Sequence, residues 1–197
     1  MIVQHIDRVD NITPEEFKKN YYVPRKPVII AAGGLSQHWP AYSKWTWNYF
    51  KSIVGDKMVG VYNNERAGVN TPVNGADDYI TFGEYLDMVE QGPVALRIFL
   101  FNIFQHAPQL VEDFTWPDEL AKGFLKKYPM LFVGAAGSVA HMHYDIDLSH
   151  IFHTQFMGRK RILLLDNNQA PFIFRMPFTV ESAANFVHWL ESLDTEQ

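Results

Sequence analysis

The spacing of apolar residues changes along this chain. In the first half they recur at helical intervals behind recognisable helix starts. Thr13-Pro14-Glu15-Glu16 supplies an N-cap threonine, a proline at the first helical position and a glutamate placed to close a capping box. The pattern predicts a helix through Phe17 to about Tyr21, ending before Pro24. Pro27 to Ala32 is a short apolar run ended by Gly33 and Gly34, which predicts a buried strand. Thr46 to Val54 returns to helical spacing, with Gly55 placed to terminate it. Met58 to Tyr62 predicts a strand, and Asn63 to Asp78, rich in Asn, Gly and Asp, predicts a long exposed loop. Thr81-Phe82-Gly83-Glu84 forms a second capping box, opening a helix over Tyr85, Leu86, Met88 and Val89 that stops at Gly92-Pro93.

Beyond that point the pattern belongs to strands. Val94 to Phe101 is almost continuously apolar, which predicts a strand buried on both faces. Pro108 to Tyr128 reads as helical or irregular, interrupted by Pro117. Leu131 to Gly134, Val139 to His143, Ile151 to Met157 and Lys160 to Leu165 follow as closely spaced strands, with Met157-Gly158-Arg159 as the last turn. Val180 to Leu190 has the spacing of a terminal helix. Helices and short strands first, then a run of strands, predict an antiparallel β-barrel or sandwich with an α-rich N-terminal elaboration. The expected organisation is a single domain, with residues 1–93 as the elaboration and 94–197 as the barrel core.

Composition narrows the chemistry. Hydrophobic residues make up 47% of the 197 and charged residues 20%, the balance of a globular chain rather than a disordered one. Aromatics reach 15%, enough rings to fill a barrel or sandwich interior. The net charge of −5 lacks the electrostatic footprint of a nucleic-acid binder, which leaves a protein or small molecule as the expected partner. There are no cysteines, so any metal must sit on His, Asp or Glu. The N-terminus has no basic region followed by an apolar one, and no apolar run approaches the ~18 residues that span a bilayer. The expected compartment is the cytoplasm.

The candidate chemistry is concentrated between Gly137 and Leu165. His143-Tyr144-Asp145 sets an imidazole and a carboxylate two residues apart, a spacing that points both to one face of a strand. Two readings are open: the start of a divalent-metal site, or a strand-end pair with no metal role. The approach is made of small residues, Gly134, Ala135, Ala136 and Gly137. On a regular strand Ile151, His153 and Gln155 share one face, and Phe152, Thr154 and Phe156 the other. His150 falls on the opposite parity to His153, while His141 shares the parity of His143. Lys160, between Arg159 and Arg161, is either directed into a pocket or a solvent-facing hairpin lysine.

In this order the elements resemble the Jumonji-C, cupin-like 2-oxoglutarate oxygenases. The resemblance rests on His143-Tyr144-Asp145, on Phe152 to Phe156, and on Gly158-Arg159-Lys160-Arg161. It is supported upstream by Pro24-Arg25-Lys26-Pro27-Val28-Ile29-Ile30, by Trp39-Pro40-Ala41 and by Trp45, and it covers most of the chain. It implies a double-stranded β-helix, the cupin or jelly-roll barrel. It also implies Fe(II) held by two histidines and one carboxylate, with 2-oxoglutarate as co-substrate and hydroxylation of a C–H bond, on a protein side chain, as the activity. Carried over by motif, His143 and Asp145 would be metal ligands, and Lys160 would hold the distal carboxylate of 2-oxoglutarate. His153 and Ser138 would lie near the co-substrate.

Three departures stand beside this. Phe99 occupies the place of a co-substrate tyrosine, and Ala140 that of a threonine, leaving Ser138 as the nearest hydroxyl. The second histidine ligand belongs on a later strand, and the only later histidine, His188, lies in the terminal helix beside Trp189. The expectation is a fragment lacking the closing strands, or a cupin-fold binding or assembly module without turnover. Trp189 with Phe186 could form a homodimer face.

Overall fold

The structure, a computed structural model, describes residues 4–31, 34–63, 75–126, 129–140, 142–145 and 149–172. The chain divides into two compact units, residues 1–57 with 100–131 and residues 58–99 with 132–197.

In the first unit the Thr13 capping box forms. The Thr13 hydroxyl accepts from the Glu16 amide at 3.2 Å, and the Glu16 carboxylate accepts from the Thr13 amide at 3.0 Å. Helix α1, Pro14–Phe17, runs directly into a π-helical turn over Lys18–Tyr22. Strand β1, Asp7–Val9, pairs in parallel with β2, Val28–Ile30, a pairing that the three-residue run of β1 was too short to signal. After a single turn α2, Ala41–Lys44, comes α3, Trp47–Val54, capped by the Thr46 hydroxyl.

An aromatic cluster fills this unit. Trp45 packs its ring against Phe50, Phe104 and Phe114, and Phe114 in turn meets Trp39 and Trp116. Many of the rings expected inside a barrel are therefore spent among short helices. Asp113, at the end of a 3₁₀ helix over Pro108–Asp113, is buried in the same region. It accepts 2.8 Å hydrogen bonds from the Lys44 ammonium and the Trp45 indole N–H.

The second unit is built on an antiparallel sheet. Strands β3, Met58–Asn63, β4, Asp78–Thr81, β5, Leu96–Phe101, and β6, Leu131–Gly134, lie in the order β4-β3-β5-β6. Helix α4, Phe82–Gln91, starts on the Thr81–Glu84 capping box. It buries Phe82, Tyr85 and Leu86. Gly92, at φ +146°, ends it in a conformation that a side chain would resist. Thr81→Ala is expected to cost about 1 kcal/mol, because the Glu84 amide loses its acceptor. Urea unfolding should show the loss as a lower midpoint at unchanged slope.

Of the strands expected late in the chain, Leu131–Gly134 is present as β6. Val139 to His143, Ile151 to Met157 and Lys160 to Leu165 form no ladder among the described residues, apart from an isolated bridge at His143. Residues 151–157 keep the alternation of exposure that their sequence dictates. The difference lies in the partner. Alternation defines a face, but a strand also needs a neighbour to take its hydrogen bonds. The described sheet is four-stranded and does not close on itself. The proposed terminal helix, with Phe186, His188 and Trp189, and His141 lie outside the described residues. Among the described residues no helix is long and apolar enough to cross a membrane.

Candidate functional site

The four-stranded sheet has two unlike faces. Val59 and Val61 on β3, Ile98 on β5 and Val133 on β6 are buried, and they form the interior of the second unit with the buried residues of α4. The Tyr85 hydroxyl fastens that interior, lying 2.9 Å from the Val133 carbonyl and 3.1 Å from that of Leu96. Burial pushes its phenol well above the ordinary range.

Because side chains alternate along a strand, Tyr62, Arg97, Phe99 and Phe132 belong to the opposite face. Tyr62 and Arg97 are cross-strand partners. The Tyr62 and Phe99 rings are 4.0 Å apart centre to centre, and the Arg97 guanidinium lies 4.9 Å from the Phe99 ring. Phe132 remains 52% exposed although it is a large apolar residue in a strand, while Tyr62, Arg97 and Phe99 are half-buried, so this face is open chiefly at Phe132.

The candidate residues follow β6. Ala135 accepts a 3.1 Å bond from the Ser138 amide, closing a turn with Gly137 at φ +82° in its third position, which is the signature of a type II turn. The turn folds Ser138 back against Gly134, where there is no room for a Cβ, and Ser138 is half-buried. His143 and Asp145 then converge, with Nε2 and Oδ1 3.7 Å apart and both side chains nearly half exposed.

Further on, His153 and Lys160 meet at Phe132. The His153 ring is 6.4 Å from the Phe132 ring, and the Lys160 Nζ is 5.9 Å from it. Desolvation lowers the pKa of His153, and the charge of Lys160 adds to the effect. The Lys160 pKa is lowered for the same first reason, with the positive charge of Arg97 as the second. His153 is otherwise exposed, 3.4 Å from the Gln155 amide oxygen.

The structure thus brings His143 together with Asp145, and His153 together with Lys160. Whether the first pair suits a metal can be tested by reach. Imidazole and carboxylate donors sit about 2.0–2.2 Å from a first-row divalent ion, so two donors of one ion can be up to about 4.2 Å apart. The observed separation falls within that limit, and the donor chemistry suits iron. Among the described residues no third His, Asp or Glu completes a cluster.

Two residues of the open face were not singled out by the sequence. Arg97 sits in a run read as buried on both sides, and Tyr62 was read only as part of a strand. The available signal was the charge itself, since an arginine inside an apolar strand marks a face that is not core.

Comparison with known proteins places these residues in context. The family model described as a cupin-like domain matches residues 14–196. Lysine-specific demethylase 8 of Xenopus tropicalis is 28% identical over 154 residues, covering 75% of this chain and 33% of that protein. The bifunctional peptidase and (3S)-lysyl hydroxylase JMJD7 of Homo sapiens is 28% identical over 189 residues, covering 88% of this chain and 57% of that protein. The tRNA wybutosine-synthesizing protein 5 of Gallus gallus is 23% identical over 192 residues, covering 86% and 57% respectively. The chain spans about a third to three-fifths of the length of these relatives.

Proposed function

Because this chain belongs to the cupin-like domain family, with Jumonji-C proteins among its relatives, we propose that it carries the core of an Fe(II)- and 2-oxoglutarate-dependent hydroxylase acting on a protein side chain. The observation that carries the reading is the convergence of His143 and Asp145 at 3.7 Å in the segment that follows β6. The proposed substrate class is supported by two relatives whose names specify lysine chemistry, and the net charge of −5 counts against a nucleic acid.

In this reading His143 Nε2 and an Asp145 carboxylate oxygen hold the metal. Bound iron would supply the coupling of oxygen reduction and 2-oxoglutarate decarboxylation to oxidation of a C–H bond. The residues of the chain bind and orient. Lys160 offers an ammonium to the distal carboxylate of 2-oxoglutarate, and desolvation strengthens that attraction. Phe132 lies 5.9 Å from the Lys160 Nζ and offers its ring to the ammonium. Ser138 is fixed by its turn, with its hydroxyl set against Gly134.

The experiment is direct. The whole chain, given Fe(II), 2-oxoglutarate and oxygen, should form succinate, and a chelator should stop it. No Fe(II)-dependent succinate would instead support a second reading, a cupin-fold binding or assembly module. The two-donor set among the described residues favours that alternative.

A further inference from the structure

Both halves of the candidate site depend on β6, a strand of four residues at the rim of the described sheet. On one side Phe132 meets the His153 ring and the Lys160 ammonium. On the other, Gly134 leads into the turn that closes at Ser138, five residues before His143. Val133 stands between them, 6% exposed, its side chain in the interior while that of Phe132 lies on the opposite face. A strand this short, with one ladder neighbour among the described residues, has few hydrogen bonds to fix it, and rim segments open at low cost.

Tyr85 grips this strand from the interior. Its hydroxyl, carried by α4 and fully buried, lies 2.9 Å from the Val133 carbonyl oxygen and 3.1 Å from that of Leu96, the first residue of β5. One phenol thus reaches a carbonyl on each of two neighbouring strands. A buried carbonyl is costly to leave without a donor, so loss of the hydroxyl favours a shift of β6. Such a shift passes to the turn, because Ser138 Oγ occupies the space where a Cβ on Gly134 would stand. We propose that Tyr85 is a positioning residue: by holding the Val133 carbonyl it keeps the His143–Asp145 pair in register with the Phe132–Lys160 half of the site. The inference rests on the hydroxylase reading above. The pair itself is local, two residues apart in sequence and 3.7 Å between donors. The hydroxyl acts on the relation between the halves.

Tyr85→Phe keeps the ring and removes only the hydroxyl. Titration of the whole chain with Co(II), followed by visible absorption, should give an affinity within about threefold of wild type, because the donor pair is local. Adding 2-oxoglutarate to the Co(II)-loaded chain should change the bands in both proteins, but at about tenfold higher concentration in the variant. Leu86→Val, on the same helix and equally buried, is the control for a loss of stability alone. It should lower the thermal midpoint and leave both titrations at wild-type values. In the metal-free chain, hydrogen exchange over residues 131–138 should be about fivefold faster in Tyr85→Phe than in Leu86→Val.

A Tyr85→Phe chain whose response to 2-oxoglutarate stays within about twofold of wild type would overturn the inference. So would an equal loss in Leu86→Val, which would leave Tyr85 a stabilising residue and no more. In either case the wild-type response to 2-oxoglutarate would keep the hydroxylase reading standing. A wild-type chain that binds no Co(II), or whose bound Co(II) ignores 2-oxoglutarate, would overturn both.

Discussion

Asp113→Ala is expected to destabilise the first unit by about 3 kcal/mol, a large effect for one surface-adjacent carboxylate. Asp113 is only 4% exposed, and its two oxygens are spoken for: one accepts from Lys44 Nζ and the other from Trp45 Nε1, each at 2.8 Å. Removing it takes the carboxylate acceptor from the indole donor inside the aromatic cluster. The Lys44 side chain is 41% exposed, so its ammonium can turn to water. That escape keeps the cost toward the lower end of what breaking a fully buried pair would take. Asp113→Asn retains an acceptor of nearly the same shape and should cost roughly half as much. Urea unfolding followed by tryptophan fluorescence would measure both, since Trp45 reports directly on the cluster. An alanine variant within 0.5 kcal/mol of wild type, on the order of an ordinary surface change, would contradict this account.

The same pair has a pH dependence with a definite sign. The hydrogen bond to Asp113 raises the pKa of Lys44 in the folded chain. Its contribution is therefore complete below the unfolded-state lysine value of about 10.4 and is lost as pH rises through the higher folded value. No comparable loss from this group is expected near neutrality.

Local signals in the sequence were read correctly where their cause is local. Both capping boxes, Thr13 with Glu16 and Thr81 with Glu84, form as the spacing requires, because each is closed by residues three apart. The strands at Met58, Val94 and Leu131 also fall where the apolar runs place them. Asp7–Val9 and Asp78–Thr81 were missed because a strand of three or four residues owes its existence to a partner rather than to its own pattern. The converse holds at Ile151 to Met157, where a sound alternation lacks a partner among the described residues. In the candidate site, His143, Asp145 and Lys160 were singled out because a motif places them in order, and the structure sets His143 beside Asp145. Arg97 was not, because its position depends on which face of β5 turns away from Ile98, and the ladder to β3 decides that.

His143→Ala is expected to reduce conversion of 2-oxoglutarate to succinate by at least about 100-fold. Residues that merely orient a metal ligand already cost 10–100-fold when replaced, so loss of a ligand should cost more. The effect should arise from the metal and not from unfolding, since the His143 side chain is 46% exposed and exposed substitutions rarely move stability beyond about 0.5 kcal/mol. Asp145→Ala should behave alike, because its carboxylate is the other donor within reach of the same ion. His150→Ala, an exposed histidine of the same region, serves as the control and should keep wild-type turnover. Metal occupancy can be followed separately by Co(II) absorption, whose visible bands should disappear in the His143 and Asp145 variants and persist in the His150 one. Unchanged turnover in His143→Ala would remove the iron from this pair and with it the role proposed for Asp145. Lost turnover with retained Co(II) binding would instead separate metal binding from catalysis, leaving His143 to act on the substrate side of the site.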